Sequence, residues 1–208
     1  MWDERAVTKR WVKLARDVFE WFYRFEGGTV PKMDPELALE PEGTYHPPNF
    51  DLEGGYCEGL MYVDAVLADS FFFTEPYRRK FGEEILPLDL MHKISQFILY
   101  NSVRLQDRMR VVNFDDTRSN WATSPVVTAF LANKLLDERL QWYLHWTEEN
   151  FNEPSPVPFH EYPAFTFIWY DPNLEPRDPG GAAPVKVFPG IGWASIRSGW
   201  GTDDVMLG

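Results

Sequence analysis

The feature that most constrains this chain is a change of hydrophobic period near residue 180. Before it, apolar residues recur every three or four positions. After a linker built from Pro176, Pro179, Gly180, Gly181 and Pro184, the runs Val185 to Phe188, Trp193 to Ser198 and Val205 to Leu207 read as short strands. Helices followed by strands point to segregated units rather than an alternating α/β fold. The expected division is a helical portion over 1–180 and a strand portion over 181–208. Two or three short strands do not make an independently stable sheet. The sequence stops at Leu207-Gly208, in what reads as a strand pair, so the polypeptide reads as cut short.

Within the helical portion, Val7, Trp11, Leu14, Val18, Phe22 and Phe25 form one apolar stripe, ended by Gly27-Gly28. Thr29 to Asn49 carries five prolines and reads as a long connection. A second helix is expected from Glu58 to about Phe73. Glu58, Tyr62, Ala65 and Asp69 share one stripe, and Leu60, Val63, Leu67 and Phe71 the opposite one. Pro76 is expected to open a separate short helix over Tyr77 to Phe81. Further helices are expected over Leu88 to Val103, Val127 to Leu136 after a Ser124 N-cap and Pro125, Glu138 to Trp146, and Ala164 to Tyr170. Val111 to Asn120 reads as a polar loop.

Composition narrows the function classes. There are 20 Lys+Arg against 32 Asp+Glu among 208 residues, a net charge of −12, which argues against a nucleic-acid phosphate binder. No apolar run reaches the ~18 residues of a membrane span. The opening Met1-Trp2-Asp3-Glu4-Arg5 lacks the basic and apolar regions of a secretory signal, so compartment stays open. The one cysteine, Cys57, excludes cysteine-rich zinc sites and is expected to be a small buried residue. His46, His92, His145 and His160 show no metal-ligand spacing, and only His46 precedes the proposed site closely in sequence. Nine Trp and an aromatic content of 16% suit either a large core or flat surfaces for sugar rings.

Three segments carry a family resemblance. The run Phe167-Ile-Trp-Tyr-Asp-Pro172, a proline-rich spacer, Phe188-Pro-Gly-Ile-Gly-Trp-Ala-Ser-Ile-Arg-Ser-Gly-Trp200 and Asp203-Asp204 resembles the heparinase II/III-like polysaccharide lyases at their helix-to-sheet junction. Glu53-Gly-Gly-Tyr-Cys-Glu-Gly-Leu-Met-Tyr62 is similar to the family's Gly-x-Tyr-x-Glu-Gly segment. Asn113-Phe-Asp-Asp116 resembles its Asn-Phe-Gly-Asp loop, with Asp115 in place of glycine. The resemblance covers Glu53 to Gly208 and implies a mainly α fold: an incomplete (α/α) toroid followed by the first strands of an antiparallel β-sandwich. It also implies a periplasmic or extracellular setting. The family's Asn-His pair is not visible here. Its Gly-His-Gly-His segment, with a metal-binding or catalytic histidine, would lie beyond Gly208, so no cofactor is expected within this chain.

The implied chemistry is β-elimination on an acidic polysaccharide or oligosaccharide, with no nucleic-acid partner. Such a reaction needs the sugar carboxylate neutralised, a base for the adjacent proton and an acid for the leaving oxygen, and tyrosine can act in both proton-transfer roles. Tyr62 is the candidate proton-transfer residue, with Glu58 one turn before it as its orienting group and Tyr56 as its substitute or as a substrate contact. Asn113, Asp116 and Arg118, with Asp115, form a polar loop suited to sugar hydroxyls, and Arg197 is expected at a cleft edge. The same residues have plainer readings. Glu58 suits a helix N-terminus, Tyr62 a half-buried core position and the Asn/Asp loop an ordinary turn; Trp193 and Trp200 suit a sandwich core. Arg104, Arg108 and Arg110 form a local basic run or a solvated helix end. Two other functions fit: a toroid glycoside hydrolase pairing Glu58 with Asp115 or Asp116 about 6.5–9.5 Å apart, and a non-catalytic, sugar-binding remnant.

Overall fold

In a computed structural model, the described residues are 5–30, 43–105, 108–112, 114, 117, 123–148 and 162–208. Among them are six α-helices and three small antiparallel sheets, so the chain is mainly α. It divides into two compact units, Met1–Phe50 and Asp51–Gly208. The change from helices to strands near residue 180 falls inside the second unit.

The first unit holds α1 (Ala6–Arg24) and a minimal ladder of β1 (Gly28–Thr29) and β2 (Tyr45–His46). The buried face of α1 centres on Phe19 and Tyr23, one position round from the expected stripe; Val7 and Trp11 are exposed. Tyr23 decides this by stacking on Phe50, with ring centroids 5.4 Å apart and planes 8° from parallel. The expected connection Thr29 to Asn49 thus begins and ends in paired backbone. His46 packs edge-on against Trp21 and Phe25.

The second unit is built on α2 (Gly59–Phe81), α3 (Leu88–Tyr100), the hairpin β3 (Ser102–Leu105) and β4 (Arg108–Val111), α4 (Pro125–Leu135), α5 (Glu138–Glu148), α6 (Pro163–Trp169), and the sheet β5 (Val185–Phe188), β6 (Trp193–Arg197), β7 (Met206–Leu207). The two stripes of α2 come out as the sequence implies. Leu60, Val63, Leu67 and Phe71 are fully buried, and Tyr62 and Asp69 are exposed. The helix does not stop before Pro76. A proline deletes one backbone bond and strains one turn, and here that turn is held by buried Tyr77 and by Glu75, which pairs with Arg78 at 2.5 Å and Arg79 at 3.2 Å.

The helix expected over Leu88 to Val103 ends at Tyr100. Beyond it the chain forms the β3–β4 hairpin, whose register pairs Val103 with Arg110 and Arg104 with Met109, so Arg104, Arg108 and Arg110 sit on strands rather than at a helix end. Helical and strand periods coincide over so few residues, and the two-residue spacer between the strands was the overlooked signal. The Ser124 N-cap is in place, but its hydroxyl turns away from the helix. Ser124 donates from both its backbone N and its Oγ to Asp64 Oδ1, at 2.8 and 2.9 Å. The aromatic core between α2, α4 and α6 stacks Phe71 on Phe130 at 3.9 Å, with Trp169 edge-on to Phe130 at 4.8 Å.

The β5–β6–β7 sheet has two unlike faces. Register places Lys186, Phe188, Trp193, Ser195, Arg197 and Met206 on the side toward α3, and Val185, Val187, Ala194, Ile196 and Leu207 on the other. On that outer side Val185, Val187, Ile196 and Leu207 are exposed.

Asp64 gives a pH-linked prediction. Complete burial raises its pKa to about 7, opposed by the Ser124 hydrogen bonds, and its Oδ2 has no partner among the described residues. A folded pKa above the unfolded one means its contribution to stability is fully present below pH ~4 and is lost as pH rises toward 7. Asp64→Asn should therefore flatten the decline in stability between those limits, a difference on the order of a few kcal/mol. Urea midpoints measured across that pH range check it; parallel curves for the two proteins would contradict it.

Candidate functional site

The turn before α2 is set by Asp51. Its Oδ1 accepts hydrogen bonds from the backbone N of Glu53 (2.8 Å) and Gly55 (2.7 Å), and its Oδ2 from Gly190 N at 3.1 Å. One buried carboxylate thus forms an Asx turn and ties it to the 3₁₀ turn Pro189–Ile191 between β5 and β6. Lys186 adds a pair to Glu53 at 2.5 Å, which lowers the Glu53 pKa through the hydrogen bond and the charge. Gly54, at φ +86°, lies against the Lys93–Ile94 backbone, where a Cβ would collide.

Gly59 opens α2 at φ +78°, and a Cβ there would collide with Thr117 Oγ1. Thr117 accepts from Met61 N at 3.4 Å, giving one otherwise unpaired helix N–H a partner. Phe114 stacks on Trp193 at 4.4 Å and 22°, both half-buried, and meets Phe97 edge-on. Described parts of the segments that carry the family resemblance therefore lie together: Gly55 against Phe188, Gly59 against the Phe114 carbonyl, and Phe114 on Trp193.

The named residues fall in different places. Tyr62 lies in the first turn of α2 with 39% of its surface exposed. Glu58, the N-cap residue, makes no side-chain cap. Its carboxylate instead accepts the Tyr56 hydroxyl at 3.0 Å, so the expected Glu58–Tyr62 pairing is replaced by Glu58–Tyr56. Two residues apart in a turn bring these groups together, whereas four along a helix leave both side chains in solvent. Tyr56 is buried, and desolvation followed by the Glu58 bond raises its pKa, keeping it a phenol. Cys57 between them is exposed rather than buried, because the turn directs it outward. Asn113, Asp115, Asp116, Arg118 and His160 lie outside the described residues. His92 and His145 are exposed on their helices, and among the described residues no cluster of three His, Cys, Asp or Glu side chains could hold a metal ion. No described helix is long and apolar enough to cross a membrane.

Arg197 lies on the inward face of β6, away from Tyr56 and Tyr62 in the lining of a separate cleft. It is only 6% exposed, donates to the Ser102 carbonyl and sits 3.7 Å from the Trp200 ring centroid. Trp200 is buried, as a core reading expects; Trp193 is half-buried and donates from Nε1 to Asn101 Oδ1. Sequence reasoning missed Asp51 and Thr117. An Asp four residues before a glycine is the signal for the first, while the second needs the fold. No protein-family model matches the chain, and no curated protein matches it.

Asp51→Ala strands three backbone donors at once and should destabilise the protein by about 3 kcal/mol, with Asp51→Asn intermediate because Oδ1 keeps its two bonds. Chemical denaturation measures both; a loss below about 0.5 kcal/mol for the alanine variant would show that the turn stands without its carboxylate.

Proposed function

We propose that the chain belongs to a β-eliminating polysaccharide lyase of the heparinase II/III-like kind, acting on a uronic-acid-containing glycan. The observation that carries this reading is that parts of its resembling segments, distant in sequence, lie together: Gly55 against Phe188, Gly59 against Phe114 and Phe114 on Trp193. Independent chance matches would have no reason to converge. The outer apolar face of the β5–β6–β7 sheet supports the sandwich part of the reading, since one sheet of a sandwich presents such a face to the other. The toroid part is supported by helices packed on their chain neighbours, such as α4 and α5, joined by the short turn at Leu136 (φ +52°) and Asp137.

In this reading Tyr62, exposed at the start of α2, handles the proton. A base takes the proton from the carbon beside the carboxylate, a double bond forms to the next carbon, the glycosidic C–O bond breaks, and an acid protonates the departing oxygen. Tyr56 and Glu58 are positioning residues that fix the turn beneath it. Neutralising the substrate carboxylate falls to the Asn113 and Arg118 segment, and Asp116 takes a sugar hydroxyl.

The test is incubation with alginate, heparan sulfate and related uronic glycans, reading ultraviolet absorbance of the unsaturated product alongside new reducing ends. Absorbing product is expected, reduced at least ~100-fold in Tyr62→Phe and less in Tyr56→Phe. Reducing ends without absorbance would instead support hydrolysis by paired carboxylates, and binding without product a sugar-binding role; either overturns the lyase reading.

A further inference from the structure

The cleft that Arg197 lines is separate from the Tyr56–Glu58–Tyr62 turn, none of whose residues borders it. It is a small, solvent-open cleft among the β3–β4 hairpin, α5 and the β6–β7 turn. Arg104, Trp142, Tyr143, Trp200 and Asp204 also line it.

Two guanidinium groups line this cleft, and Asp204 is the one acid among its described lining residues. Arg197 has the Ser102 carbonyl, the Met206 sulfur at 3.3 Å and the Trp200 ring, but its Nε is buried with no acceptor among the described residues. Arg104 lies over the Trp146 ring at 3.0 Å, no described group accepts a hydrogen bond from it, and its Nε is buried too. Asp204 accepts from Ser198 Oγ at 2.9 Å and Gly201 N at 2.7 Å, and its single charge faces two guanidinium groups. Tyr143, at the floor, is a neutral phenol whose pKa burial raises; it accepts from Thr123 N at 3.2 Å and its hydroxyl lies 3.2 Å from Ser102 Oγ.

This chain has more acids than bases, 32 against 20, yet the described lining of this cleft holds two guanidinium groups and one carboxylate. Buried charge in excess of its counter-charge is disfavoured, and an aromatic face offsets only part of that. Burial accordingly pulls the Arg197 pKa down to about 10, with Tyr100 and Asp204 opposing. A planar fork is the side chain suited to gripping a carboxylate, sulfate or phosphate.

We propose that this cleft is an oxyanion-binding site, with a single carboxylate, sulfate or phosphate group held by Arg104 and Arg197 against the walls formed by Trp142 and Trp200. The site stands on its own geometry and does not depend on the lyase reading.

The test is a thermal-shift and tryptophan-fluorescence titration of the full chain with sodium glucuronate, sodium sulfate and inorganic phosphate, each matched in ionic strength by sodium chloride. At least one anion should act saturably beyond chloride, and the strongest one identifies the source of the group. Arg104→Gln should weaken that response at least tenfold without lowering the anion-free Tm, because it removes an unpaired charge. Arg197→Lys, which keeps the charge and loses the fork, should weaken it as well. No response beyond chloride, or an undiminished response in Arg104→Gln, would overturn the proposal.

Discussion

The C-terminal end of α3 is the point on which the second unit depends. A helix ends with carbonyls that lack intrahelical donors, and here nearly every one finds a donor elsewhere. Phe97 O accepts from Asn101 Nδ2 at 2.8 Å and Ile98 O from Ser102 Oγ at 2.8 Å. Tyr100 O accepts from Ser195 Oγ at 2.6 Å, Asn101 O from Val112 N at 2.8 Å, and Ser102 O from Arg197. Asn101 itself receives the Trp193 indole N–H. The three donating side chains of β6 are alternate residues on one face of a single strand, so strand pitch and helix end fit each other.

That arrangement explains the composition of the sheet. Its inward face is polar because it completes a helix terminus, and its outward face is apolar because nothing polar is asked of it. Phe188 anchors the contact, fully buried and edge-on to Phe97 at 4.9 Å. The same docking fixes two separate places for chemistry. It holds the Asp51 turn and the Phe114–Trp193 stack beside the start of α2, and it draws Arg197 into a cleft with Arg104. A guanidinium used to cap a carbonyl has donors left over, and those give the second cleft its character.

The sequence disclosed what local rules govern. The strands after residue 180 came out within a residue of their expected limits, since alternation and Gly/Pro punctuation agree there. The buried stripe of α2 was legible because Leu60, Val63, Leu67 and Phe71 leave no other face to bury. What stayed hidden depended on distant partners. The register of α1 was decided by Phe50 and the continuity of α2 through Pro76 by Glu75 and Tyr77. At the site, Glu58 was read as the partner of Tyr62 from helical spacing, but the helix begins one residue later and the carboxylate turns back to Tyr56. Asp51 was passed over because an Asx turn looks like any loop until its third donor, Gly190, arrives from 139 positions away.

The most direct measurement of this account is amide hydrogen exchange of the whole chain, comparing β6 with α3. If the sheet completes the helix end, the β6 amides should open with the same free energy as the central turns of α3, as one cooperative unit. Fast exchange throughout Trp193–Arg197, while α3 stays protected, would contradict it.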